Sequence, residues 1–344
     1  MNIEEAKITS FSVESLVQAG LNKEDAALVT ETMLIADYRG IHSHGFIRLP
    51  IYLERIKKGL INAQANIEVI KDSPALSLLD GDFGPGQVVA TKAMQHSIKN
   101  AKKSGLGLTV VKNSNHFGIA AYYNTLATNE NLIGIVISNV EPLMPAVGGA
   151  DKVIGNNPIS IAAPNGGNDP ILLDMALSNV PLGKILVYQS NGEPIPMDWG
   201  VDKNGLETSN PNDVIDGGFL LPMAGPKGFG LAVLTEVLTG IISGGQYSKT
   251  IESMYHSENK QSISHFMLAI DPTFFMDLEE YNQRVNDLTS FVKASKKAEH
   301  TSELFMPGEI EFKREKANRE KGVPIEENLY NQLLEISKTN GIAL

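Results

Sequence analysis

Ala75-Leu76-Ser77-Leu78-Leu79-Asp80-Gly81-Asp82-Phe83-Gly84-Pro85-Gly86 reads as a short apolar strand running into a glycine turn. A helix is predicted from Gln87 to about Lys103, closed by Gly105, and a second strand from Leu106 to Val111. Strand, glycine turn, helix and strand outline a dinucleotide-binding unit, but its fingerprint is missing. After Gly84 and Gly86 the third glycine position holds Val89. Lys112-Asn113 stand where an acid should end the second strand. An ordinary Rossmann domain is therefore excluded, while the alternation of strand and helix keeps the chain in the α/β (α+β) class.

Downstream, Asn113-Ser114-Asn115-His116-Phe117-Gly118 sets an imidazole beside a glycine. A helix over Ala120 to Asn129 and a buried strand over Ile133 to Ile137 follow. A loop rich in proline and glycine then runs from Asn139 to Gly149. Two further strands, Ile159 to Ala163 and Pro170 to Leu173, border Gly155-Asn156-Asn157-Pro158 and Asp174-Met175-Ala176. Three successive strands with small polar loops predict one sheet edge from which ligand groups project; alternatively, these residues only make turns. Residues 190–218, with Asn191-Gly192 and Asn204-Gly205 as turn signals, read as a surface excursion.

Pro222-Met223-Ala224-Gly225-Pro226-Lys227-Gly228-Phe229-Gly230 opens an apolar helix through Ile241. A glycine-rich loop with a lysine at a helix N-terminus suits a phosphate, although P-loop spacing is absent. A strand around Phe266 to Ile270 and a helix from about Leu278 to Lys296 come next. Phe312 to Lys321, dense in both charges, reads as a solvated helix face with no nucleic-acid role.

Upstream, residues 10–40 read as helical. Asn22 is placed as an N-cap, Ala26, Val29, Met33 and Ala36 mark a buried face, and Gly40 ends the run. Ile41-His42-Ser43-His44-Gly45-Phe46-Ile47-Arg48-Leu49-Pro50-Ile51-Tyr52 follows immediately. Spacing by four would align His44, Arg48 and Tyr52 on a helix, but an interior proline costs about 3 kcal/mol. Pro50 fits better in the first turn of a helix from about 50 to 58 ending at Gly59, which leaves His44 and Arg48 on its irregular approach. An imidazole beside a guanidinium suits a 2-hydroxy acid or its 2-keto partner. Arg48 would grip the carboxylate through two parallel hydrogen bonds while a histidine moves the hydroxyl proton near neutral pH. The competing reading makes His42 and His44 exposed loop histidines.

A chain of 344 residues can bury a large core and is expected to split into two domains. Its formal charge of −11, spread without an acidic tail, argues against a nucleic-acid partner. The longest apolar candidate, Phe229 to Ser243, carries Glu236 and falls short of the roughly 20 residues of a membrane span. Met1-Asn2-Ile3-Glu4-Glu5 is acidic where a signal peptide would be basic. Without cysteine, disulfides, thiolate zinc sites and cysteine nucleophiles are excluded. A cytoplasmic location is expected.

Ser43-His44-Gly45, Arg48-Leu49, Tyr52, Asn115-His116-Phe117-Gly118, Asn157-Pro158, Asp174-Met175-Ala176, Gly225-Pro226-Lys227-Gly228 and His265-Phe266 follow one another in register over nearly the whole chain. Together they resemble the malate/L-lactate dehydrogenase family, which includes ureidoglycolate dehydrogenase and related keto-acid reductases. The resemblance implies a non-Rossmann, mixed-sheet cofactor domain at 73–299 and a helical domain built from both termini, 1–72 plus 300–344. It implies an oxidoreductase using NAD or NADP on a small 2-hydroxy acid of malate, L-lactate or ureidoglycolate type, working as a homodimer. His44, Arg48 and His116 become the catalytic groups. Asp174, Met175, Ala176, Lys227, Gly228, Pro307 and Gly308 become cofactor contacts, and no metal is implied. Leu177 stands where many relatives have threonine, and the branch of the family stays open.

In that chemistry either histidine accepts the hydroxyl proton as hydride leaves C2, and the other orients the substrate. Two other classes remain: a metal-dependent hydrolase using His42, His44 and His116, or a non-catalytic small-molecule binder. Histidines two apart diverge on a strand, which weighs against the first.

Overall fold

In the computed structural model, which describes residues 1–255 and 258–344, β1 (Asn2–Ile3) leads into two helices, α1 (Glu5–Ala19) and α2 (Lys23–Tyr38). Gly20, at φ 122°, breaks the run. Asn22 restarts it by accepting the Asp25 N–H at 2.9 Å. Ala26, Val29, Met33 and Ala36 are all buried, as their spacing predicts. Two 3-10 turns, His42–His44 and Phe46–Arg48, then lead to α3 (Leu49–Lys57), with Pro50 in its first turn.

The middle of the chain forms a seven-stranded sheet from β2 (Glu68–Asp72), β3 (Leu76–Asp80), β4 (Leu106–Ser114), β5 (Ile133–Ser138), β6 (Ile159–Asn165), β7 (Asn168–Met175) and β10 (Ile263–Ile270). The strand order is β2-β3-β4-β10-β5-β6-β7. β3 and β4 run parallel, and among the described residues every other neighbouring pair is antiparallel. The sheet is thus mixed, as expected. β2 was not foreseen: it is exposed along its length and shows no burial alternation. α4 (Gly86–Ser104) and α5 (Ala120–Thr128) pack on the sheet, burying Ala90, Ala93 and Met94 with Val111, Tyr123, Val136 and Met267.

Residues 190–218 are more than a surface excursion. After α6 (Leu182–Asn191), a ribbon of β8 (Gly200–Val201) and β9 (Phe219–Leu220) flanks α7 (Pro211–Ile215). Ile195, Val214 and Leu220 share a core with Met144, Ile154, Leu177 and Ala232 of α8 (Pro226–Glu236). Their apolar residues are spaced by turns, so no period announces the packing. α8 runs on through a π-helical turn, Val237–Ile241. α9 (Leu278–Lys293) and α10 (Glu309–Lys321) follow, and α10 buries only Phe312, in keeping with a solvated face.

The chain closes with β11 (Val323–Pro324) and α11 (Glu327–Asn340). β11 pairs antiparallel with β1, and the Met1 amino group donates to Ile325 O at 2.9 Å. Leu329, Leu333 and Ile342 share one core with Ile8, Phe11, Leu49 and Tyr52. We propose that this core marks the helical domain drawn at 1–72 plus 300–344, with β2 moved from it to the cofactor domain's sheet.

The tightest helix–sheet approach is at Gly107 of β4, where an added Cβ would lie 2.0 Å from the Ser97 carbonyl of α4. Backbone cannot yield there as a flexible side chain would. Gly107→Ala is expected to destabilise the fold by about 1–3 kcal/mol, read as a lower urea midpoint; an unchanged midpoint would show that the contact relaxes freely.

Candidate active site

The first wall of the site begins at Asp37, a buried carboxylate in the last turn of α2. Its Oδ2 accepts the Phe46 N–H at 2.8 Å and its Oδ1 pairs with His42 Nδ1 at 2.9 Å. Burial pushes the Asp37 carboxyl up, while the Asp37 hydrogen bond raises the His42 imidazole. Gly45 passes so close that a Cβ would lie 2.1 Å from the carboxylate, which explains the glycine in Ser43-His44-Gly45. His42 is thereby an exposed partner of Asp37, and His44 and Arg48 are delivered to the interior.

There His44 stacks on His116, with ring centroids 5.4 Å apart. Each has its Nδ1 engaged: His44 with Ser43 Oγ at 2.8 Å, His116 with the Tyr52 hydroxyl at 2.7 Å. Burial first, and the nearby Arg48 charge second, hold His44 down at about 3 and His116 well below the usual imidazole range. Both rings are therefore neutral at pH 7, which corrects the expectation of a near-neutral titration. Burial pushes the Tyr52 phenol up to about 12, so it keeps its proton. Arg48 Nε donates to Ser43 O at 2.6 Å and its guanidinium lies 5.5 Å from the Tyr255 ring centre. Among the described residues, its Nη groups meet no hydrogen-bond acceptor.

The second wall is one end of the sheet. In the register, Ile137 of β5 faces Ile159 at the start of β6, which faces Met175 at the end of β7; His265 of β10 faces Ser138. The polar loops of these strands therefore meet at one edge, together with His116 beyond β4. A cleft of about 480 Å³ lies there, lined by His44, His116, Asp174, Met175, Ala176, Pro307 and Gly308, by Arg39, Ser138, Val140 and Gln261, and by apolar groups including Leu172 and Phe312. Asp174 Oδ2 accepts the Ala121 N–H at 2.8 Å, at the start of α5. Burial nonetheless pushes its carboxyl up to about 6.

Of the anticipated residues, Arg48, Lys227 and Gly228 lie outside the cleft lining: Arg48 stands behind Ser43, and Lys227 and Gly228 are in the first turn of α8, where Lys227 is exposed. Their loop joins the cleft wall through Met223, whose N–H donates to Leu177 O at 2.8 Å, next to Ala176. His265 is a framework residue: fully buried, it bonds Ser138 Oγ through Nδ1 and Ser114 Oγ through Nε2, and stacks on Phe117. Sequence reasoning missed Asp37, Gln261 and Glu141, none of which stands in a recognisable motif. Gln261 Oε1 accepts the His116 N–H at 3.1 Å. Among the described residues, no group of three His, Asp or Glu could hold a metal ion.

A family model for malate/L-lactate dehydrogenase matches residues 3–334. The chain belongs to the malate/L-lactate dehydrogenase family. Its relatives include a malate dehydrogenase of Pyrococcus abyssi, 39% identical over 99% of this chain and 96% of that one. A ureidoglycolate dehydrogenase (NAD(+)) of Escherichia coli O157:H7 is 33% identical over 97% of this chain and 95% of its own length. Among solved structures, the sulfolactate dehydrogenase of Methanocaldococcus jannaschii superposes with a TM-score of 0.93 at 39% identity, covering 99% of this chain and 98% of the other. Family membership sets aside the hydrolase and the simple binder. This family member is a dehydrogenase of the 2-hydroxy-acid class, and among the described residues no helix is long and apolar enough to cross a membrane.

The neutral imidazoles make stability depend on pH. His44, His116 and His265 all have folded values below the ordinary 6.5. Their contribution is complete above pH 6.5 and is lost as pH falls, because the unfolded chain then binds more protons. Asp174, Asp37, Glu141, Glu236 and His42, raised in the fold, work the other way and offset part of this. Stability is expected to drop by about 2–4 kcal/mol between pH 7 and pH 5, measured by urea denaturation. A flat or rising profile would mean that the raised carboxyls outweigh the neutral rings.

Proposed function

We propose that the protein interconverts a small 2-hydroxy acid and its 2-keto acid by hydride transfer with NAD or NADP. The observation that carries this reading is the Arg48 guanidinium, Nη groups free among the described residues, beside two stacked neutral imidazoles. A carboxylate fits its fork through two charge-assisted hydrogen bonds. The C2 hydroxyl then falls to the histidines. Because each Nδ1 is held by a hydroxyl, the Nε2 atom of His44 or His116 is the one left to take the proton. Whichever ring acts, its Nδ1 proton rests on Tyr52 or Ser43 oxygen while Nε2 accepts. The other ring orients the same oxygen.

The cleft suits a nicotinamide nucleotide in its chemistry. Leu172, Met175, Ala176, Pro307 and Phe312 offer apolar surface for a flat ring. Asp174 has one oxygen fixed by Ala121 N–H and its other oxygen for a ribose hydroxyl. When bound, NAD or NADP accepts the hydride from C2. Asp174, Met175, Ala176, Pro307 and Gly308 are the proposed contacts within the cleft. Lys227 and Gly228 are proposed to meet the phosphate end beyond it, one bonded step from Ala176 through Leu177 and Met223. A cytoplasmic setting fits a diffusible cofactor and a chain without cysteine.

A homodimer is supported by the outer face of α8 and its π-helical extension. Leu231, Val233, Leu234, Leu238, Ile241 and Ile242 are all more than a third exposed, an apolar surface that favours a second copy. Leu234→Asp should convert a dimer to a monomer in sedimentation velocity; a wild-type chain already monomeric and fully active would remove the dimer from the reading.

Arg48→Lys keeps the charge but loses the fork, so KM for the acid should rise at least tenfold with a smaller change in kcat. Asparagine at the true proton carrier should lower kcat by roughly 10²–10⁴-fold, and His44→Asn and His116→Asn made separately identify it. With both rings depressed by burial, the acid limb of kcat/KM for oxidation should lie below pH 6.5. Lys227→Ala in the same assay should raise KM for the cofactor alone. Near-normal turnover in both histidine variants would mean that the site lies elsewhere.

A further inference from the structure

We propose that Glu236 is a positioning residue for cofactor binding: its carboxylate pins the ends of β5 and β6, which wall the cleft, to α8, the helix that carries Lys227. This rests on the reading above, in which NAD or NADP fills the cleft and meets Lys227 beyond it. Glu236 ends α8 and is buried. Its Oε1 accepts an N–H from Asn157 Nδ2 and its Oε2 one from Asn139 Nδ2, both at 3.1 Å, and the Ser248 backbone N–H also faces it.

Asn139 follows the last residue of β5, Asn157 stands just before β6, and both are fully buried. Each gives its second Nδ2 hydrogen to a backbone carbonyl at 3.0 Å, Gln246 O for Asn139 and Ala232 O for Asn157. Each Oδ1 takes a backbone N–H, from Ser264 at 2.8 Å and from Val140 at 3.0 Å respectively. Neither amide can flip, so both present donors to Glu236, which must accept on both oxygens. Cleft-lining residues flank each one: Ser138 and Val140 beside Asn139, Asn156 and Pro158 beside Asn157. Asn156 O in turn accepts the Leu177 N–H at 2.8 Å, next to Ala176.

Joining these elements does not by itself call for a carboxylate. The partners of Glu236 among the described residues are neutral donors, and a buried charge held that way is a costly substitute for apolar packing. What the carboxylate adds is direction: two oxygens on one side chain fix two strand ends against one helix. Lys227 lies earlier on that helix, about 14 Å along its axis, so the same contact sets the span from cleft to lysine. Just after Glu236 the helix turns π-helical, and a Cβ at Gly240 would lie 2.3 Å from Gln246 O and 3.0 Å from Asn139 Nδ2. His44 and His116 are held by other bonds, to Ser43, Tyr52 and Gln261. Glu236 therefore bears on cofactor seating and leaves proton transfer alone.

The test measures turnover, and NADH and NADPH binding by nicotinamide fluorescence, in the full-length protein. Glu236→Gln keeps the shape but sets one amide donor against another. Its cofactor Kd and KM should rise about tenfold, while kcat at saturating cofactor stays within about threefold. Gly107→Ala, outside the cleft lining, is the control: a lower melting temperature with an unchanged cofactor Kd. If Glu236→Gln melts lower yet binds cofactor like the wild type, or loses kcat at unchanged Kd, the proposal is overturned. The wild type supplies a readout of its own. Bound cofactor should slow hydrogen exchange by about threefold in residues 237–246, none of which lines the cleft. If the variant does not fold, that measurement decides, and unslowed exchange counts against the proposal. A wild type that binds neither cofactor defeats the dehydrogenase reading together with this one, whereas an unchanged variant leaves the dehydrogenase reading standing.

Discussion

A carboxylate in a protein interior must be bonded to be tolerated, and Asp37 is bonded to the chain that follows it. By accepting the Phe46 N–H and holding the His42 ring, it turns the backbone sharply after α2 and sets the two short turns before α3. Gly45 is the point where this turn brushes the carboxylate. The consequence is directional: His42 goes to solvent, His44 and Arg48 go inward. The chemistry of the first wall depends on that one acid, which never touches the cleft itself.

The other wall comes from register. Antiparallel pairing brings the end of β5, the start of β6 and the end of β7 to one edge, and β4 ends beside them at Ser114, two residues before His116. The site lies at the seam between this edge and the N-terminal helices. Tyr52 of α3 bridges the seam by holding His116. The low local polarity that packs the seam also keeps both imidazoles neutral, so burial and proton-accepting capacity have the same origin.

Local signals were legible in the sequence. Asn22, Gly40 and Pro50 act through their own neighbours, and they fall where capping and proline sterics put them. The three strand-end loops were legible as one sheet edge, which the strand register brings together. β2 carries no burial pattern, and residues 190–218 fold around apolar groups placed by turns, so neither had a period to read. In the site, His44, Arg48 and His116 were recognisable by residue type. Their tuning was not, since His116 meets Tyr52 from 64 positions away and Gln261 from 145. His265 illustrates the reverse case: it belongs to the family pattern, yet it serves between two serines as part of the frame.

The pairing of β1 with β11 has a consequence for biogenesis. Helices α1 to α3 are made well before Leu329, Leu333 and Ile342, the residues that complete the core they share. Contacts of such sequence separation form late and slow the folding of the whole. During synthesis the segment carrying His44 and Arg48 therefore waits with its apolar face uncovered until that distant segment arrives.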